Sequence, residues 1–233
     1  MSKLYLIPVT IGEGELSHVI PARQNELIRS ISHFIVEDVR TARRFLKKTD
    51  KTIDIDSLTF FELNKHTDKT QLHTYLEPVL KGFPVGLMSE AGCPGVADPG
   101  ADVVRIAHEK GICVVPMVGP SSILLAMMGS GMNGQNFAFN GYLPIKKDDK
   151  IAAIKKLEKR IFSENQSQVF IEAPYRNQQL LNDLLEHCQP STLLCIACDL
   201  TLETEFIQTK PISNWKKCRP DIDKRYVVFI LGN

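Results

Sequence analysis

The sequence has almost no net charge: 28 Lys and Arg stand against 27 Asp and Glu, a formal +1. That balance excludes a global field drawing the chain to nucleic acid or anionic membrane, so any nucleic-acid partner must be met by a local basic patch. Long apolar runs are also missing. Residues 111–145 carry no charged side chain, but "VPMVGPSS" interrupts them with two prolines and a glycine. The apolar pieces left are too short to span a bilayer, so no membrane partner is expected. The opening "MSKLYLIPVTIGEGEL" has no small-residue cleavage site behind an apolar core. It does not read as a secretory signal, and the expected location is cytoplasmic. Cysteines are few, at 93, 113, 188, 195, 198 and 218, and only Cys195 and Cys198 form a CxxC. That pair lies in the apolar run "TLLCIACDL" and no second pair sits at zinc-like spacing, so buried strand thiols are expected, with no disulfide and no metal. Internal repeats and low-complexity segments are absent.

What is present is a 43% hydrophobic, 233-residue chain, long enough to bury roughly 70% of its unfolded surface in one or two domains. Its first half alternates strands and helices. "KLYLIPV", "FIVEDV", "LTFFEL", "PVGLMSE" and "ICVVPMV" read as strands, with helical spacing in "PARQNELIRSISH", "TARRFLKK", "TDKTQLHTYLEPVLKG" and "GADVVRIAHEKG" between them. Five strands separated by helices predict a parallel sheet with helices on both faces. After "VGPSS" the rhythm changes to strands "NFAFNGYL", "QVFIEA", "LLCIACDL", "ETEFIQT" and "RYVVFIL", two of them consecutive. Consecutive strands pair antiparallel, so the second half is expected to hold a mixed sheet. The fold class is therefore α/β, in two α/β domains over residues 1–117 and 118–233.

Two glycine patterns compete for a ligand. Gly129, Gly131 and Gly134 in "GSGMNG" spell GxGxxG, but that fingerprint needs a strand before and a helix after it, and here the order is reversed. These glycines are expected to end a helix and turn the chain. The stretch "PVGLMSEAGCPGVADPGADVVRIAHEKG" has the required order, a strand, a loop with three glycines and two prolines, then a helix. It places the loop at the carboxyl end of a parallel strand, where open α/β sheets bind ligands, and a helix N-terminus follows.

"SEAGCPGVADPG", "VVPMVGPSS", "FNGYLP", "EDVR" at Glu37–Arg40 and "CDLT" at 198–201 together resemble the tetrapyrrole methylase superfamily. Within it they are similar to the branch of ribosomal RNA small subunit methyltransferase I, whose members show "SDAGTPxxSDPG", "PGPS/C", "GFLP" and "EDTR". This chain departs with Glu90, Cys93, Ala97 and Tyr142, opens with "PVTIGEGEL" in place of "TPIGNLxD", and has "ELNKHTD" in place of an "HNE"-like box. The resemblance implies transfer of a methyl group from S-adenosylmethionine, held in a cleft between the two domains. It assigns the donor to Ala91, Gly92, Cys93, Val96, Ser121, Ser122, Tyr142, Ala173, Asp199 and Leu200, and implies a homodimer.

The acceptor implied is ribosomal RNA or the small ribosomal subunit, methylated on a ribose 2'-oxygen. A tetrapyrrole or other small-molecule acceptor, or a donor-binding regulatory module without transfer, stays open. Methyl transfer needs alignment of acceptor and donor, not a metal. A hydroxyl acceptor gains from a general base, which points to Glu37 and Asp38, with Glu90 and Asp98 as further candidates. Each has an ordinary reading too, Glu37 and Asp38 as acids favoured at the positive end of the helix that follows them, and Asp98 as the cap of the next helix. Arg40, Arg43 and Arg44 form the basic cluster beside this box and are the candidate substrate residues. The charges of "IKKDDKIAAIKKLEKR" read as a solvated helix face.

Overall fold

The computed structural model describes residues 2–64 and 66–233; Met1 and Lys65, the latter within "ELNKHTD", lie outside the described residues. The chain divides into two compact units, Met1–Ser121 and Ser122–Asn233. The division falls four residues beyond the expected end of the first domain at 117.

In the first unit, β1 (Lys3–Ile7), β2 (His33–Val36), β3 (Thr59–Glu62), β4 (Val85–Met88) and β5 (Cys113–Pro116) form one sheet in the order β3-β2-β4-β1-β5. Every pairing in it is parallel. Successive side chains on a strand point to opposite faces, and the buried residues divide accordingly. Ile7, Phe34 and Met88 join one core with the helices α1 (Arg23–Arg29) and α2 (Val39–Thr49). Leu4, Ile35 and Leu87 join the other with α3 (Ala101–Glu109). On α2 the buried residues Ala42, Phe45, Leu46 and Thr49 fall at helical spacing. Asp38 caps α2, its Oδ1 accepting the Thr41 N–H at 2.7 Å. Asp98 does not cap α3 as expected: Gly100 occupies that position, with φ +137° and no side-chain bond.

The second unit continues with α4 (Ser122–Ser130), β6 (Phe137–Tyr142), α5 (Lys147–Glu164), β7 (Ser167–Ile171), α6 (Asn177–His187), β8 (Leu193–Cys198), β9 (Phe206–Pro211) and β10 (Val227–Gly232). The sheet order is β6-β7-β10-β8-β9. β6 and β7 run parallel and the other pairs antiparallel. One face buries Phe170, Leu194 and Phe229 with Ile154, Leu157 and Ile161 of α5 and Leu180, Leu181 and Leu184 of α6. The other buries Val169, Val228 and Ile230 with Ile123, Ala126 and Met127 of α4. Each such side chain contributes about 1.5–3 kcal/mol by leaving water.

The two CxxC thiols sit on opposite faces of β8, Cys195 in the α4 core and Cys198 in the α5/α6 core. Three residues apart on a strand, they cannot converge on one ligand. Burial pushes the Cys198 thiol up to about 12. The GxGxxG glycines turn the chain: α4 ends at Ser130 and Gly131 follows with φ +71°. One expectation is corrected on α5. Lys150 and Glu158 are buried, not solvated, because they share a face with Ile154, Leu157 and Ile161. Lys150 pairs with Asp183 at 3.0 Å, and Glu158 Oε1 accepts from the Thr192 hydroxyl at 2.6 Å and the Gln189 N–H at 2.7 Å.

Candidate active site

Parallel strands bring their carboxyl ends to one edge of the sheet, so the first unit gathers residues far apart in sequence. β2 delivers Glu37 and Asp38, β4 delivers Ser89 and Glu90, and the loop before α3 delivers Asp98. Of these, Glu37, Asp38, Glu90 and Asp98 line a cavity of about 860 Å³, with Arg40 and Arg44 from α2 and Lys69 and Asp102. The Glu90 N–H donates to Glu37 Oε2 at 3.3 Å.

The acids of this cavity differ electrostatically. Burial pushes the Glu37 carboxyl up, the Asp98 and Glu90 charges push it further, and the Glu90 N–H opposes them. Asp98 is raised by burial and by Glu90 against a Ser89 hydrogen bond. Glu90 is raised by burial, and the Asp38 charge adds to it, while the Thr41 hydroxyl opposes. All three carboxyls therefore lie above the ordinary carboxylate value, as burial beside like charge dictates. Asp38 behaves in the opposite way. The Thr41 N–H holds its carboxyl below the ordinary value, so the helix cap is a weak base, and Glu37 is the better placed of the two predicted catalytic acids.

The predicted arginines separate by helical geometry. Arg40 and Arg44, four residues apart, line the cavity, while the Arg43 guanidinium lies 5.5 Å from the centre of the Phe60 ring. Lys69 and Asp102, ion-paired at 2.9 Å, were not anticipated. No local motif marks them, and only the order of the strands places them here.

The glycine-rich loop lies on the same edge, toward β1 and β5. Gly92 has φ +69°, a left-handed conformation that a side chain would strain. Its carbonyl accepts from the Val9 N–H at 2.9 Å and the Ser89 hydroxyl at 3.4 Å. The Cys93 thiol donates to the Pro120 carbonyl at 3.4 Å. The Gln24 amide fixes the Val118 carbonyl at 2.7 Å, and Gly119 packs so tightly on Pro8 that a Cβ would overlap the ring. The loops after β4, β1 and β5 are thus tied to one another, bringing Ala91, Gly92 and Cys93 toward the turn that leads to Ser121. Ala91 and Val96 are exposed. The four predicted residues of this loop, Ala91, Gly92, Cys93 and Val96, are all uncharged, and burial raises the Cys93 thiol, keeping it protonated.

In the second unit, Ser122 opens α4, and Tyr142, Ala173, Asp199 and Leu200 lie at the carboxyl ends of β6, β7 and β8. Tyr142 is exposed, whereas Leu200 is packed into the α4 core. The Asp199 carboxylate is fully engaged. Its Oδ2 accepts from the Thr204 hydroxyl and Arg225 Nε, each at 2.8 Å, and its Oδ1 from the Tyr226 N–H at 3.1 Å. Burial pushes this carboxyl up, but those three donors together hold it below its ordinary value. Asp199 and Leu200 therefore have backbone, not side chain, to offer a ligand. Among the described residues no group of three metal-ligating side chains converges, and no helix is long and apolar enough to cross a membrane.

No protein-family model matches the chain. The ribosomal RNA small subunit methyltransferase I of Haemophilus influenzae is 31% identical over 231 residues, covering 98% of this chain and 77% of that protein. The protein of that name from Vibrio cholerae is 29% identical over 214 residues, covering 90% and 69%. The crystal structure of the methyltransferase CobJ superposes with a TM-score of 0.66 at 16% identity, covering 100% of this chain and 95% of that one. The cobalt precorrin-4 methyltransferase CbiF superposes with a TM-score of 0.62 at 12% identity, covering 99% and 94%. At those identities the two structures speak for the fold.

Proposed function

Since the chain belongs to the ribosomal RNA small subunit methyltransferase I family, we propose that it transfers the methyl group of S-adenosylmethionine to a ribose 2'-hydroxyl of ribosomal RNA. The observation that carries the ribose reading is that Glu37, Glu90 and Asp98 line one cavity of the first unit and that burial raises each of their carboxyls. A ribose hydroxyl is a poor nucleophile until a base takes its proton, and a carboxylate raised toward neutrality is a better base than an ordinary one.

The loop residues fit the donor. S-adenosylmethionine, when bound, supplies a methyl group on a cationic sulfonium. The uncharged stretch Ala91–Cys93 sets no positive charge against it, and Gly92 leaves open a gap that a Cβ would narrow, 3.5 Å from the Pro120 carbonyl oxygen. Ser121, Ser122, Tyr142, Ala173 and the backbone at Asp199 and Leu200 are assigned to the rest of the donor by the family likeness. Glu37 accepts the proton of the acceptor hydroxyl, its carboxyl raised by burial and by the charges of Asp98 and Glu90. Arg40 and Arg44 contact phosphates flanking the target nucleotide.

The test has two stages. Calorimetry should show about 1:1 binding of S-adenosylmethionine in the micromolar range, unaffected by chelator or NAD. Label from the methyl group should then pass to RNA of small ribosomal subunits. Absence of heat, or of label in RNA, sinks the reading.

A further inference from the structure

We propose that two loops of the second unit, Pro174–Arg176 and Lys224–Tyr226, form a stacking site for an unpaired nucleobase of the RNA. The site deepens the functional reading above and rests on it. Tyr175 is 70% exposed and Tyr226 59%. Single exposed aromatics are ordinary, but these two are mounted on backbone that is held in place. The Lys224 N–H donates to the Pro174 carbonyl at 3.2 Å, tying one loop to the other. Tyr226 exchanges both of its backbone hydrogen bonds with Asp199, giving its N–H to Oδ1 at 3.1 Å and accepting the Asp199 N–H at 2.8 Å. The Arg176 guanidinium lies 5.5 Å from the centre of the Tyr175 ring. Its Nε and Nη2 both donate to Glu172 Oε1, at 2.9 and 2.6 Å, so it too is fixed.

Rigid aromatic faces beside a guanidinium plane are what single-stranded RNA recognition uses, because every base has a π-face and stacks on either. A phosphate is a poorer match for the patch. Arg225 is neutralised by Asp199 at 2.8 Å and lies over Phe206, and Asp221 and Asp223 precede Lys224 in the chain. Ring faces, not charge, are therefore the source of affinity.

The experiment titrates the full chain with a fluorescent, unstructured oligoribonucleotide, comparing wild type with Tyr175→Ala, Tyr226→Ala and the two Phe replacements. Each Ala variant should bind roughly 5- to 150-fold more weakly, the worth of one stacked base, and the Phe variants should bind as wild type. The dependence of log affinity on log salt should keep its slope, since no phosphate contact is lost. Ala variants that bind RNA like wild type overturn the site, as do Phe variants as weak as Ala ones. A changed oligomeric state with unchanged RNA affinity also overturns it and makes the patch a contact between copies. If Arg40→Ala and Arg44→Ala weaken RNA binding while the tyrosine variants do not, this site alone fails. If wild type binds no RNA at low salt, the functional reading fails with it.

Discussion

Acidic side chains gather at strand ends in both units, but the two units treat them differently. In the first, Glu37, Glu90 and Asp98 line one cavity and all have carboxyls raised by burial and by the charge of a neighbouring acid. In the second, Asp199 is held by Thr204, Arg225 and Tyr226, and Glu172 by Arg176. A carboxylate tied to donors of its own loop fixes that loop; one left among like charges is poised to take a proton. The same residue type thus builds the scaffold in one unit and is available for chemistry in the other.

The widest gap between the two sets should be in turnover. Glu37→Gln should lower the rate of methyl transfer about 100- to 10,000-fold, the usual worth of a general base, with donor affinity by calorimetry unchanged. Because the base works only when deprotonated and its pKa is raised, wild-type activity should climb with pH along a limb lying above the ordinary carboxylate range. A rate flat across that limb would remove Glu37 from the chemistry. Stability should respond in the other unit. Asp199→Asn loses charge-assisted hydrogen bonds worth about 2–3 kcal/mol, read as a lower denaturation midpoint at neutral pH. The Asp199 carboxyl is depressed in the folded protein, so its stabilising effect is present above the unfolded pKa and lost as pH falls through the folded one. The penalty of the variant should fade on acidification.

The glycine loops offer a matched pair. Gly92 and Gly131 have nearly the same φ, +69° and +71°, and a Cβ on either meets nothing closer than 3.5 Å. Valine at either position should cost about 1–2 kcal/mol in left-handed strain. Only Gly92→Val should also abolish donor binding. Equal donor affinities in the two variants would place the donor elsewhere. A smaller effect of opposite sign is expected from Asp98→Asn. A raised carboxyl costs stability once it is ionised, so removing this charge should raise the denaturation midpoint slightly at neutral pH. The gain should vanish as pH falls through the raised pKa, and a loss instead would make Asp98 a structural anchor. Last, Arg40→Ala and Arg44→Ala should each flatten the salt dependence of RNA binding by about 0.7 log units per lost phosphate contact, while Arg43→Ala, tied to Phe60, leaves it unchanged.

The ten strands of the described residues could all be read from the sequence, because a period of two and a break at Gly or Pro are local signals. The carboxyl-edge position of the glycine loop followed from strand–loop–helix order alone. What stayed hidden depends on partners distant in sequence. Glu37 and Asp38 are neighbours at one strand end, and nothing local says that one enters the cavity while the other caps α2. Arg43 sits between two cavity residues, yet Phe60 from β3 draws it away. Lys150 and Glu158 look like surface charges until Asp183 and Thr192 supply buried partners from other elements. Lys69 joins the site through topology, with no motif to mark it.

The most direct measurement incubates the protein with methyl-labelled S-adenosylmethionine and small ribosomal subunits, digests the RNA to nucleosides and identifies the labelled one. Label in a 2'-O-methylnucleoside, lost with Glu37→Gln, is the predicted result. Label in a base-methylated nucleoside, or none in RNA despite measurable donor binding, would contradict the account.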